Sequence, residues 1–448
     1  MRTTLRATGA LMRGRDVATA VLTVVAFALP HALLLCVAGG VGAFWARADS
    51  PVNRAMAQPF YLVLVGFAAV LLVVPILSMG AGAARLGLLR RSRDLAVMRL
   101  LGLPPAQAKV ASVCETLCFA AIGIVLGSLL YAATLPAWSL IRFQGVALGV
   151  GEMWVGPIGL VAVGAVMVAL AGLSGWMSMR RVAVTPLGVV RRSAAQHVSA
   201  IGVVVAASLL LVWIVFGQVI MGSVGAAIGT GLFFGTMGVL FALVNAVGAW
   251  SIGVLGHLMA RVVRSPQALL AGRRVADDPK SVWRSLGGLS LVGFIVGVLL
   301  PVFDVVTRRG GAGSDPTGVL MFGDIRTGIV LTLGITVVLA AVSTAVNQSI
   351  RLIDDIGQTR ALVRAGAPAA FLDSSRRLEI GVPAGVTTLG GMVLGIVFIS
   401  PVLVAGGLFT AATLLGWGVL SVVLILAASE CTRPLRARLL AEPVPVAA

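Results

Sequence analysis

The sequence predicts an all-α integral membrane protein of about ten transmembrane helices, built as two four-helix parallel repeats joined by a two-helix linker, with no large extracytoplasmic domain. Three observations carry this expectation. The 448 residues are 59% hydrophobic and 11% charged, with mean hydropathy +1.05, against the roughly 45–50% apolar content of a soluble domain. Arginines gather between apolar runs of about 20 residues, the length that crosses a bilayer core. Landmarks recur at one fixed offset of 264 residues.

The elements follow in order. Residues 1–15 alternate Arg2, Arg6, Arg13 and Arg15 with Leu5, Leu11 and Met12, the pattern of a short interfacial helix. The run at 16–44 is too long for a signal-peptide core and reads as span one, followed by an outer loop at 51–58 and span two at 59–84. A basic segment with Arg85, Arg90, Arg91, Arg93 and Arg99 feeds span three, about 106–135, and a loop with Arg142 and Glu152 leads to span four, about 154–179. Arg180, Arg181, Arg191 and Arg192 surround Pro186 in the next loop. Spans five (about 200–219) and six (about 226–259) form a hairpin without a counterpart elsewhere.

Ser265 and Pro266 have the form of a helix N-cap and first residue, opening a second interfacial helix with Leu269, Leu270, Arg273 and Arg274. Asp278 and Pro279 repeat that form ahead of span seven, about 281–301, and the outer loop at 302–324 is too short for a folded domain. Span eight (about 326–350) delivers a second charged segment, and spans nine (about 370–399) and ten (about 402–428) precede a tail with Arg433, Arg436 and Arg438. An even span count puts both termini on the arginine-rich, cytoplasmic side; Arg47, Arg54, Arg142, Arg308, Arg309 and Arg326 are the exceptions.

A net charge of +18 does not point to nucleic acid, because the basic residues hold loops between spans and leave no separate basic surface. Cys36, Cys114, Cys118 and Cys431 lack partners in metal-ligand spacing, and His31, His197 and His257 are scattered. No GxxxxGK[ST] phosphate loop and no catalytic triad can be assembled, so the chain is read as neither an enzyme nor its own source of ATP energy.

The repeat is carried by Gly102-Leu103-Pro104 against Gly366-Ala367-Pro368, Glu115 against Glu379, and Gly127 against Gly391, each 264 residues apart. Four spans per copy make it a parallel repeat about an axis along the membrane normal, so two like-facing segments point at the cytosol and suit a symmetric soluble partner. The two glutamates are the ionisable groups closest to mid-span. Three roles stay open for them: packing against an arginine at the inner surface, relaying motion, or carrying protons. In the first segment, Leu95, Met98 and Leu101 share a helical face away from Arg93, Asp94 and Arg99, and Gly102 with Pro104 and Pro105 ends the helix. A solvated amphipathic helix and a partner-docking helix both give that pattern, and the duplication favours docking.

The stretch RSRDLAVMRLLGLPPAQAKVASVCETLCFAAIGIVLG resembles the signature of FtsX-like (MacB/LolC-type) ABC transporter permeases, and Pro186-Leu187 before Arg191-Arg192 also fits. The whole resembles the ten-span, two-core branch that includes bacitracin-resistance-type permeases. The resemblance implies a first core at 1–192, a linker pair at 193–264 and a second core at 265–448. It also implies a bacterial cytoplasmic membrane location, lipid as neighbour, and a separate ATPase dimer, with ATP and Mg on that partner, docking on both repeats.

Carried over by position, Arg93, Asp94, Arg99 and Gly102 form the first docking copy, and Glu115 and Glu379 are interfacial or intramembrane relays. The second copy departs, with Gln358 in the place of Asp94 and Val363 in that of Arg99; Asp354, Asp355, Arg360 and Arg364 supply its charges ahead of Gly366. The implied activity is export or extrusion of an amphiphile of the antimicrobial-peptide or lipid class. The alternatives are a mechanotransmitter acting on a cell-envelope partner and a secondary transporter.

Overall fold

A computed structural model describes residues 17–89, 104–182, 226–309 and 316–400, together with isolated positions at 208, 211, 212, 215, 419, 423 and 427. Helix dominates these residues. In chain order the elements are α1 (Val17–Asp49), α2 (Phe60–Leu89), α3 (Pro105–Trp138), a hairpin of β1 (Arg142–Phe143) and β2 (Val146–Ala147), α4 (Val150–Met153) and α5 (Gly156–Val182). They continue as α6 (Ala226–Val262), α7 (Pro266–Asp277), α8 (Pro279–Arg309), α9 (Pro316–Arg364) and α10 (Ala369–Ile399). Five helical stretches are long and apolar enough to cross a membrane: Ala20–Asp49, Val113–Trp138, Val150–Leu173, Pro316–Thr336 and Ala370–Ile399. Shorter apolar helices occupy Phe60–Val73, Val247–Val262 and Leu289–Phe303.

The chain divides into two compact units, residues 1–192 with 314–324, and residues 193–313 with 325–448. In the first unit, α1 is the central helix and packs against α2, α3 and α5. Its buried face includes Phe27 and Leu35, both fully shielded. The α1–α3 crossing is close because Gly123 and Gly127 sit on it: a Cβ on Gly127 would lie 2.5 Å from the Ala28 carbonyl oxygen. Such small residues let helix backbones approach where lipid removes most of the hydrophobic drive for association.

One end of this unit is closed by the hairpin. Gln144 (φ 57°) and Gly145 (φ 78°) form its two-residue turn, with Arg142 opposite Ala147 and Phe143 opposite Val146. Two consecutive left-handed residues match the twist of paired strands. Trp45 and Trp154 stand exposed at the same end of the helices, as aromatic residues do at a membrane–water boundary.

In the second unit, α8 and α10 form the closest pair, with α6 and α7 packed beside them. A Cβ on Gly293, Gly297 or Gly391 would strike the backbone carbonyl of Thr388, Met392 or Ser290 respectively, so the two backbones touch along several turns. An apolar core of Ile252, Val275, Val282, Trp283, Leu286, Leu289, Ile380 and Ala384 joins the four helices. Trp283 fits only because Gly248 faces its ring.

Several expectations change. The segment 302–324, read as an outer loop, is helical at 302–309 and again from Pro316, because hydropathy marks the apolar part of a helix and not its full length. The charged segment after span eight continues the same helix: α9 runs unbroken for 49 residues, about 74 Å. The second interfacial helix, α7, packs antiparallel along the end of α6, with Gly272 against Ala260 and Gly256 against Ala276. The predicted N-cap does form there, since Ser265 Oγ accepts the Ala268 amide at 3.3 Å. Residues 1–16, most of the predicted span at 200–219 and most of that at 402–428 lie outside the described residues.

Candidate functional site

Of the predicted coupling residues, the second docking copy and the two glutamates lie among the described residues. The first docking copy, Arg93, Asp94, Arg99 and Gly102, lies outside the described residues. The second copy lies on the last turns of α9, where Asp354, Asp355 and Arg360 lead to an exposed Arg364. A helix of this length exceeds the roughly 30 Å hydrocarbon layer more than twofold. Its charged final turns therefore stand outside the apolar part.

The end of α9 is held by backbone geometry. Gly366 has φ +86°, the Gly366 amide bonds to the Val363 carbonyl at 3.0 Å, and the Ala367 amide bonds to the Leu362 carbonyl at 3.1 Å. These two bonds with a left-handed glycine make a Schellman cap. Gly366 is thus required by the turn itself; a side chain there would be strained in the left-handed region. Pro368 then caps α10 with φ −62° and ψ 143°. In the first unit Pro104 caps α3 with φ −59° and ψ 143°.

The two glutamates are buried in their own units, Glu115 in α3 at 1% exposure and Glu379 in α10 at 5%. Glu379 Oε2 lies 3.5 Å from Arg274 Nη1 of α7, whose side chain is 19% exposed. A buried carboxylate demands a cationic or hydrogen-bonding partner. The pair thereby pins the amphipathic α7 onto α10, and its arginine comes from the helix that the sequence marks as basic and amphipathic.

Sequence reasoning did not find the polar clasp at the hairpin end of the first unit. Arg47, at the end of α1 and only 4% exposed, donates to Glu152 through Nε–Oε1 at 3.0 Å and Nη2–Oε2 at 2.7 Å. Its remaining protons reach the Phe143 and Ala147 carbonyls, each at 2.9 Å. Glu152 Oε2 also accepts the Gly149 amide at 2.9 Å. Beside it, Asp324 accepts the Tyr61 hydroxyl at 2.6 Å and the Gln144 amide at 2.8 Å. Asn53 Nδ2 closes the ring on the Gln144 carbonyl at 2.9 Å. Arg47, one of the arginines that the sequence places against the charge rule, is thus answered by Glu152 of the loop before span four. The bidentate fork fixes the hairpin, α4 and the end of α1 as one piece.

Deeper along the α1–α3 crossing, His31 Nε2 meets Ser128 Oγ at 3.1 Å, and Tyr131 donates to the Met153 carbonyl while accepting the Val155 amide at 3.1 Å. Among the described residues no group of His, Cys, Asp and Glu side chains is arranged to hold a metal ion. Compared with models of known protein families and with curated proteins, the chain matches none.

Proposed function

We propose that this chain is the membrane-spanning permease subunit of an ABC-type transporter, a ten-span FtsX-like protein with two four-helix cores. A separate cytoplasmic ATPase dimer docks on the segments at 93–102 and 354–366 and drives export or extrusion of an amphiphile. The observation that carries the reading is the duplicated frame. Every buried position of α3 from 115 to 135, namely 115, 116, 119, 120, 123, 127, 131 and 135, has a buried counterpart 264 residues later in α10. Glu115 and Glu379 open both series, and Gly127 and Gly391 both lie at a close approach to a preceding helix, α1 and α8 respectively. Two copies of one helix-packing scheme, each entered through a charged segment ending in a proline-capped helix, are what a two-fold ATPase requires of its membrane partner.

In this reading the chain supplies lever and frame, and ATP chemistry stays in the partner. The buried glutamates anchor the span that follows each docking segment. Glu379 does so through Arg274, so movement at the tip of α9 is felt by a helix fixed to α7 and not by a loose loop.

Reversing Arg93 and Arg99 to Glu is expected to abolish co-purification with the ATP-binding subunit while leaving membrane insertion intact. Pull-down from solubilised membranes measures it. Undiminished recovery of the ATPase with the reversed chain would sink the docking assignment.

A further inference from the structure

The contact between α6 and α7 fixes more than packing. A Cβ on Gly272 would lie 2.7 Å from the Ala260 amide nitrogen, and one on Gly256 would lie 2.6 Å from that of Ala276. Ala260 therefore faces Gly272 on two helices that run in opposite directions. The next residue on each helix turns by about 100°. Because the directions are opposed, both turns carry the side chains to the same flank, so Arg261 and Arg273 project side by side.

Both are exposed, as is Arg264 in the corner one turn beyond Arg261. One turn before Arg261, the exposed His257 donates Nδ1–H to the Gly253 carbonyl at 2.7 Å. Among the described residues, Asp277 is the one carboxylate that the same register brings to this flank. Arg274 points the other way, to Glu379. Three exposed guanidinium groups thus gather here against one carboxylate, which leaves the surface net positive.

The surroundings are apolar. Leu258, Val262 and Val263 are 56%, 67% and 41% exposed, and the apolar stretch Val247–Val262 ends in this corner. Greasy side chains beside a row of arginines fit the level at which acyl chains give way to headgroups.

We propose that the α6–α7 corner is a binding surface for an anionic phospholipid: its phosphate sits among Arg261, Arg264 and Arg273, and its acyl chains lie along Leu258, Val262 and Val263. Charge complementarity selects the headgroup and the exposed valines select lipid over a soluble protein. The bound lipid tethers α7, and with it the Arg274–Glu379 pin, to the membrane surface. This surface does not depend on whether an ATPase docks on the chain.

The test uses the full chain in phosphatidylcholine nanodiscs containing a photoactivatable phosphatidylglycerol, with cross-links mapped by peptide mass. Wild type is expected to label within residues 254–273, and unlabelled phosphatidylglycerol should compete where phosphatidylcholine and inorganic phosphate do not. Arg261→Gln with Arg273→Gln should cut labelling by about tenfold or more, as expected for two surface arginines facing anionic lipid, and the double lysine variant should keep most of it. Labelling unchanged in the glutamine variant would overturn the proposal. So would equal competition by phosphatidylcholine, which would make the surface merely apolar, or by inorganic phosphate, which would make it a free-anion site. Loss of an associated ATPase with unchanged lipid labelling would make it a protein dock. If the glutamine variant does not fold, the competition series on wild type still decides.

Discussion

Gly391→Ala is expected to destabilise the protein by about 2 kcal/mol, in the range for overpacking a tight core, while Gly390→Ala, one residue earlier, is neutral or stabilising by up to about 1 kcal/mol. The two positions lie on the same helix and differ only in what a methyl group would meet. At Gly391 it meets the Ser290 carbonyl and the Phe294 amide of α8, both backbone, so relief requires the helices to part. At Gly390 nothing lies within 4 Å, and the change simply replaces a poor helix former with a good one. Gly127→Ala should repeat the loss in the first unit, where the Ala28 carbonyl and the His31 side chain occupy the space. Thermal unfolding of the three variants in one detergent is the measurement. Equal behaviour of Gly390→Ala and Gly391→Ala would contradict the close α8–α10 crossing.

The second large effect is expected at Arg47. Truncation to Leu strands the Glu152 carboxylate and removes the donor from two carbonyls, and breaking a buried ion pair on one side costs about 3–5 kcal/mol. Glu152 keeps 35% side-chain exposure, so water compensates in part and the lower end, about 3 kcal/mol, is expected. Adding Glu152→Gln to Arg47→Leu should recover a measurable part of that loss, because the second change removes the stranded charge. A double-mutant cycle on unfolding free energy checks this; purely additive losses would show that the fork is not the source.

How much of this was legible in sequence depends on range. Local signals read well. Ser265 with Pro266 announced a capped helix, because the cap is decided by the residue's own backbone chemistry within a few positions. The offset of 264 residues was equally plain, since matched glycines and glutamates need no partner to be seen.

The clasp was not legible. Arg47 and Glu152 are 105 residues apart, and each alone looks like an unfavourable charge near an apolar run. The hairpin turn is Gln144-Gly145, where the strong signal is Asn-Gly or Asp-Gly. The reach of α9 beyond its span was hidden for a different reason. Hydropathy falls at the membrane boundary, but no proline or glycine pair stops the helix there, so it runs on to the Gly366 cap.

In the proposed function this chain moves an amphiphile on energy supplied by a separate ATPase. The most direct measurement is flux of a fluorescent amphiphile in liposomes that contain the chain alone, the ATPase alone, or both. The account predicts ATP-dependent extrusion only with both subunits present, and none when the ATPase carries a hydrolysis-dead substitution. Flux by the chain alone, driven by a proton or sodium gradient and indifferent to ATP, would contradict it.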